Sequence, residues 1–399
     1  MKWVSRLGGV FLFAVGACQL VVGLERPGEN DPFAPAPGDA GTDGPSTAIE
    51  SGLPFLCESA FPAPPPKGSV VGADFTLAVR AFNYTTRDGG LAGIDLDCIH
   101  TCGPSAGEAR ACIPNDADGS TPADLCDEPG GIDNQLVREL LRQITPDLRG
   151  SNRQIDLGKY GQILRLKGYN GLPDDDEVGV ALVPAAGFEQ NKCDGGAPAA
   201  DGGVPRWDGC DFWSLDQKFS AELTPNFRPG YVRGSVLYSK PQLDDGTNLG
   251  EIAIQLSAPI ILRSAGVIAP LERLGADGKT PLTDGSIPAK ALRVRDAVVF
   301  GRIRTSEVLD FSGRLRINDN VNCIRYDFWR RIQEKICAAP DLPSEPSKVG
   351  SRCDAFSAGV RFEAEPAKLG NSVTVAVSPR CVDDAPDGAV EDGGLFVCP

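Results

Sequence analysis

The stretch Val71-Gly72-Ala73-Asp74-Phe75-Thr76-Leu77-Ala78-Val79-Arg80-Ala81 decides the fold class. Val71, Ala73, Phe75, Leu77, Val79 and Ala81 recur at every second position, with Gly72, Asp74, Thr76 and Arg80 between them. Side chains alternate faces along a strand, so this period of two predicts a strand with one buried and one wetted face. The same alternation returns at Val178, Val180 and Leu182, and at Ile252, Ile254, Leu256 and Ala258. It also marks Leu292 with Val294, then Val360, Phe362 and Ala364, then Val373, Val375 and Val377. Further strands are expected near 162–168, 231–239 and 314–318. Gly, Pro and Asp clusters such as Gly171-Leu172-Pro173-Asp174 and Asp244-Asp245-Gly246 separate them.

Two helices interrupt the strands. Asp133 is placed to cap the first, which carries Leu136, Val137, Leu140, Leu141 and Ile144 on one stripe before Pro146. The second sets Phe328, Trp329, Ile332 and Ile336 on one face, with Pro340 beyond its end. The pattern predicts a mainly β body over residues 69–399: an antiparallel, disulfide-stapled β-sandwich of jelly-roll type with two inserted helices. The helices would cover an open sheet face or plug an edge. Two stacked β subdomains parting near residue 220 are the alternative.

Ahead of that body the chain changes character. Val10-Phe11-Leu12-Phe13-Ala14-Val15-Gly16-Ala17 follows Lys2 and Arg6 and runs into Cys18. Such a run is too short to span a bilayer as a helix. A basic start, a short apolar stretch and small residues mark an export signal over 1–17. Val15-Gly16-Ala17-Cys18 fits the lipobox of a bacterial lipoprotein, with Cys18 as the lipidated residue. Gln19, in place of Asp, favours the outer membrane. Residues 18–68 hold lipid anchor and linker, rich in Pro, Gly, Ala, Asp and Ser, with Pro62-Ala63-Pro64-Pro65-Pro66 near the end. Such a composition buries too little apolar surface to offset its ordering entropy.

The 13 cysteines agree with export. If Cys18 carries lipid, an even number remains for bridges. Cys98, Cys102, Cys112 and Cys126 read as one local group, and Cys193 with Cys210 as a pair. Cys323, Cys337, Cys353, Cys381 and Cys398 form a third group. That group is odd, so one long-range bridge is expected, with Cys57 as its candidate partner.

Loss of a 1–17 signal removes Lys2 and Arg6 and no acid, so the formal charge of −15 becomes −17. No basic cluster offsets it, and nucleic-acid partners are excluded on that ground. The lone histidine, His100, lies between Cys98 and Cys102, so a Ser-His-Asp or Cys-His centre is not expected. A zinc site there is disfavoured because thiols oxidise in an exported protein.

Calcium is the sharpest chemical candidate. Asp116 and Asp118 stand at alternate positions before Gly119, and Asp124 and Asp127 flank Cys126. Alternating carboxylates can wrap a hard cation in oxygen. The stretch resembles a thrombospondin type 3 calcium repeat, but lacks an acid at Pro114 and carries extra residues before Asp124. A second candidate ligand site is Pro205-Arg206-Trp207-Asp208-Gly209-Cys210-Asp211-Phe212-Trp213. There Trp207 and Trp213 could stack on a sugar while Asp208 and Asp211 accept its hydroxyls.

Cys18-Gln19-Leu20-Val21-Val22-Gly23-Leu24-Glu25, Gly130-Gly131-Ile132-Asp133-Asn134-Gln135-Leu136, Leu166-Lys167-Gly168-Tyr169-Asn170-Gly171 and Pro205-Arg206-Trp207-Asp208-Gly209 together carry a resemblance. The chain resembles an uncharacterised family of bacterial lipoproteins with a disulfide-rich β domain. The resemblance implies location and architecture, with no activity and no site residues. The expected function is that of a lipid-anchored envelope protein, a non-catalytic binding or structural module. It would touch the membrane through its lipid, and a glycan or an envelope protein through its surface. The alternative is a carboxylate-dependent secreted hydrolase such as a glycoside hydrolase, which needs two acids converging in a cleft.

Overall fold

Strand β1 (Ala73–Asn83) forms where the alternation predicts it, with Phe75, Leu77 and Val79 buried on one face. It pairs antiparallel with β2 (Gly161–Tyr169) on one edge and β12 (Ala355–Pro366) on the other. From β2 the sheet passes to β3 (Asp175–Asn191), then to β5 (Arg228–Arg233) and β6 (Val236–Ser239). It continues through β8 (Pro259–Leu274) and β9 (Ala291–Arg304) back to β12. The eight strands close a ring, and every pairing in it is antiparallel.

The expected sandwich is therefore corrected: this computed structural model is a closed eight-stranded antiparallel β-barrel. Alternation could not make the distinction, because a sandwich strand and a barrel strand both bury one face and wet the other. Closure depends on which edges meet. The deciding pair, β3 with β5, joins segments whose sequences carry no mark of partnership. Three barrel strands precede residue 220 and five follow it, so the ring draws on both sides of the alternative boundary.

The remaining strands branch from the ring. Strand β3 is long enough that its start pairs with β5 and its end with β4 (Asp211–Asp216), on which β13 (Lys368–Val373) lies parallel. Strand β7 (Ile252–Gln255) pairs with the start of β8. A small separate sheet holds β10 (Arg316–Ile317), β11 (Asn322–Arg325) and β14 (Val382–Asp383). The helices are α1 (Leu136–Leu141, wound as a π-helix), α2 (Arg149–Asp156), α3 (Gln217–Ser220), α4 (Thr305–Arg314) and α5 (Tyr326–Ala338).

Both predicted helices exist, as α1 and α5. The strand expected near 314–318 shrinks to β10, because α4 runs to Arg314. The strand placed around Val373, Val375 and Val377 is instead β13, which ends at Val373.

The structure describes residues 61–68, 72–86, 89–99, 111–114, 126–127, 131–141, 148–192, 203–220, 227–240, 251–255, 259–314, 316–317, 322–345, 350–375, 379–383 and 398. All fall in one unit, Pro45–Pro399. Among the described residues, no helix is long and apolar enough to cross a membrane.

The barrel is filled. Phe75, Leu77, Leu166, Val180, Leu271 and Phe362 belong to one cluster that also takes in Leu136 and Leu140 of α1 and Trp329 and Ile336 of α5. The two helices thus pack into the core that the barrel encloses. A second cluster lies on the opposite face, where Ile163, Ala181 and Val183 meet Trp213 and Leu215 of β4. The same face also carries a charged cluster. Glu365 is buried under Arg293 Nε (2.7 Å) and Arg295 Nη1 (2.9 Å), and Arg293 also reaches Glu272 (3.2 Å).

The cysteine bridges depart from the local grouping. Cys112 joins Cys353, 241 residues away, so the long-range partner of the C-terminal group is Cys112 and not Cys57. Cys323–Cys381 and Cys337–Cys398 close the rest of that group.

Candidate metal centre

One rim of the barrel is closed by loops, and there the buried charges gather. Beyond β1, a bridge between Ile94 and Asp133 brings segment 91–99 against 131–135. The Asn134 side chain welds both to β12: its Nδ2 donates to the carbonyls of Ala92 and Gly359, and its Oδ1 accepts from Gly359 N at 3.1 Å. Gly359 permits this approach, since a Cβ there would lie 2.3 Å from the Ala92 oxygen.

The other wall is the turn before β12. Asp341 accepts from Ser357 N (2.8 Å) and Ser357 Oγ (2.5 Å), and Ser357 Oγ accepts from Gln135 N (2.8 Å). The Cys112–Cys353 bridge staples this turn to residues 111–114, beside a bridge between Ile113 and Arg352. From β9, Arg302 enters the rim with 2% of its surface exposed. Its guanidinium donates to the carbonyls of Pro343 (2.8 Å) and Leu96 (3.1 Å).

Asp97, Asp133 and Asp341 act on this buried guanidinium, and Asp95 and Asp127 stand beside those acids. Asp95, Asp97 and Asp133 each offer an oxygen within 4.8 Å of the others. Asp97 and Asp133 are 5% and 3% exposed. Each acid is oriented by a backbone amide: Ile99 N to Asp97 (2.8 Å), Leu96 N to Asp133 (2.6 Å) and Cys98 N to Asp95 (2.6 Å). Asp127 and Asp341 stand close enough to act on them electrostatically.

Burial pushes Asp97 up to about 7, and the charges of Asp95, Asp127 and Asp341 add to that against the Ile99 amide. Burial also raises Asp133 well above the carboxylate range, helped by Asp97, Asp341 and Asp127. Asp341 is pushed up to about 6 by burial, despite the two bonds from Ser357. Burial lowers Arg302, while Asp97, Asp133 and Asp341 pull the other way. The rim thus holds more negative charge than its guanidinium offsets. It can be neutralised by protons or by a cation. An all-oxygen set of carboxylates at this spacing suits a hard divalent ion such as calcium.

Of the calcium candidates read from sequence, Asp127 lies at this rim, while Asp116, Asp118 and Asp124 fall outside the described residues. His100 falls outside them as well. Sequence reasoning missed Asp95, Asp97 and Asp341, and read Asp133 as a helix cap. Asp95-Leu96-Asp97 does carry the alternate-acid signal, but nothing in the chain announces that residue 341 folds back onto residue 97.

The glycan candidates lie elsewhere, beside β4. Trp207 and Trp213 are brought together, with ring centroids 5.5 Å apart. Trp213 is fully buried, and Asp211 is 1% exposed. The Asp211 carboxylate accepts from Arg206 N (3.0 Å), Trp207 N (2.6 Å) and Asn191 Nδ2 (2.8 Å). Asp208 accepts from Cys210 N (3.0 Å) and Asn191 Nδ2 (2.9 Å). Both acids therefore organise the loop, in which Trp207 takes a left-handed φ of 56°. Trp207 remains partly exposed, with the Arg80 guanidinium 5.8 Å from its ring centroid.

The chain matches no family model, no curated protein and no solved structure.

Proposed function

We propose that the chain is a lipid-anchored cell-envelope protein that works as a non-catalytic binding or structural module, with calcium held at the acidic rim. Asp95, Asp97 and Asp133 would supply the central ligands, with Asp127 and Asp341 adding charge. The bound ion would neutralise the rim and lock segments 91–99, 131–135 and 341–345 onto β12. The observation that carries this reading is the burial of Asp97 and Asp133, 5% and 3% exposed beside the partly exposed Asp95: carboxylates so enclosed suit a bound ion better than a polymer. The lipobox at Cys18, the Gln19 that follows it and the resemblance to bacterial lipoproteins support an outer-membrane anchor. The partly exposed Trp207 is the group we assign to any glycan or envelope partner.

The carboxylate hydrolase reading has one observation in its favour, the raised pKa of Asp97 beside other acids. The same burial that raises it denies a sugar access.

Calorimetric titration of chelator-treated, oxidised protein with calcium chloride at pH 7.5 tests the proposal. One saturable site with proton release, lost in Asp133→Asn, is expected. Absence of binding up to millimolar calcium contradicts the cation site, and turnover of aryl glycosides would favour the hydrolase.

A further inference from the structure

Residues 61–68, which composition assigns to the linker, lie against the outer wall of the barrel. Phe61 is only 4% exposed. Its ring centroid sits 6.5 Å from that of Tyr238 on β6 and 6.1 Å from that of Phe300 on β9, with Lys240 Nζ 5.7 Å away. Phe300 has room on this wall because Gly266 lacks a side chain: a Cβ there would lie 2.5 Å from the ring. The next residues step sideways across the strands. The Tyr231 hydroxyl of β5 donates to the Pro62 carbonyl, and Arg233 Nη1 donates to the Ala63 carbonyl at 2.8 Å. Gly68 N then donates to Asp176 Oδ1 of β3 at 2.7 Å. The segment therefore touches β9, β6, β5 and β3 in turn.

That is the seam where the ring closes. Strand β5 has six residues and β6 four, the shortest in the barrel. The pairing of β5 with β3 is interrupted between Asp175 and Val178. Short strands contribute few ladder bonds, and local opening is drawn from regions with few such bonds.

We infer that residues 61–68 form a clip across this seam, holding the β5–β6 hairpin shut over the apolar interior, so that the chain preceding the barrel also controls its closure. Hydrogen exchange read by mass spectrometry on the full oxidised chain tests this. Phe61→Ala should speed exchange of the amides of 228–239 at least tenfold while β1, β2, β9 and β12 stay as protected as before. Tyr231→Phe, which removes one hydroxyl and keeps the ring stacked on Tyr238, should give the same localised change at smaller size. Unchanged exchange over 228–239 in both variants overturns the inference, as does acceleration spread evenly over all eight strands.

Discussion

Asp97 illustrates what a buried carboxylate costs and what it can do. Its pKa in the fold lies above its ordinary value, so the folded protein binds more protons than the unfolded chain between about pH 4 and 7. Without metal, the contribution of Asp97 to stability is therefore greatest below that window and falls as pH rises through it, by about 1.4 kcal/mol per pH unit for one such proton. Melting curves of chelated protein from pH 4 to pH 8 should show that decline. Calcium should reverse it at pH 8 and do little at pH 5, where protons occupy the acids. Asp97→Asn should raise the melting temperature of metal-free protein at pH 8 and abolish the response to calcium. Asp211 plays the opposite part: it is buried with its bonds satisfied. Asp211→Ala strands the amides of Arg206 and Trp207 and should cost roughly 2–4 kcal/mol in urea unfolding, with or without calcium.

At the scale of elements, the sequence told more about strands than about their company. Leu77, Val180 and Phe362 each belong to a run with an apolar residue at every second position, and each lies on the face turned to the main core, because burial of one face is a local property. The β5–β6 hairpin turns on Gly234 and Ser235, both at positive φ, a tight turn that the reading of 231–239 as one strand overlooked. Helix α4 begins at Thr305, directly after Arg304 ends β9, and no Gly or Pro stands at that junction to separate the two elements. The acidic rim was the least legible part. It joins residues 95, 133 and 341, and only folding brings them together. Cys112–Cys353 belongs to the same class of long-range contact. Replacing both by serine should cost about 2–5 kcal/mol, and should weaken calcium binding, since the bridge holds the turn that carries Asp341. A pair with unchanged calcium affinity would detach the staple from the rim.

The described barrel is filled with apolar side chains, and its outer wall carries the Glu365 ion-pair cluster beside apolar patches at Trp213 and Phe61. A barrel that spans a membrane has the reverse arrangement, and each arginine on its lipid face costs about 2–4 kcal/mol at the midplane. Arg293, Arg295 and Glu365 on the outer wall are incompatible with that role. A body of this kind stays at a membrane only if something else holds it, which is the part assigned to Cys18.

The sulfur count bears on this assignment. Cys98, Cys112, Cys126, Cys210, Cys323, Cys337, Cys353, Cys381 and Cys398 are all disulfide-bonded. The other four cysteines, Cys18, Cys57, Cys102 and Cys193, fall outside the described residues. Intact-mass analysis of membrane-extracted protein under non-reducing conditions reads the anchor and the thiols together. A chain beginning at Cys18, heavier by its fatty acids and free of reactive thiol, is the expected result; an unacylated chain, or Cys18 recovered in a disulfide, would contradict the account.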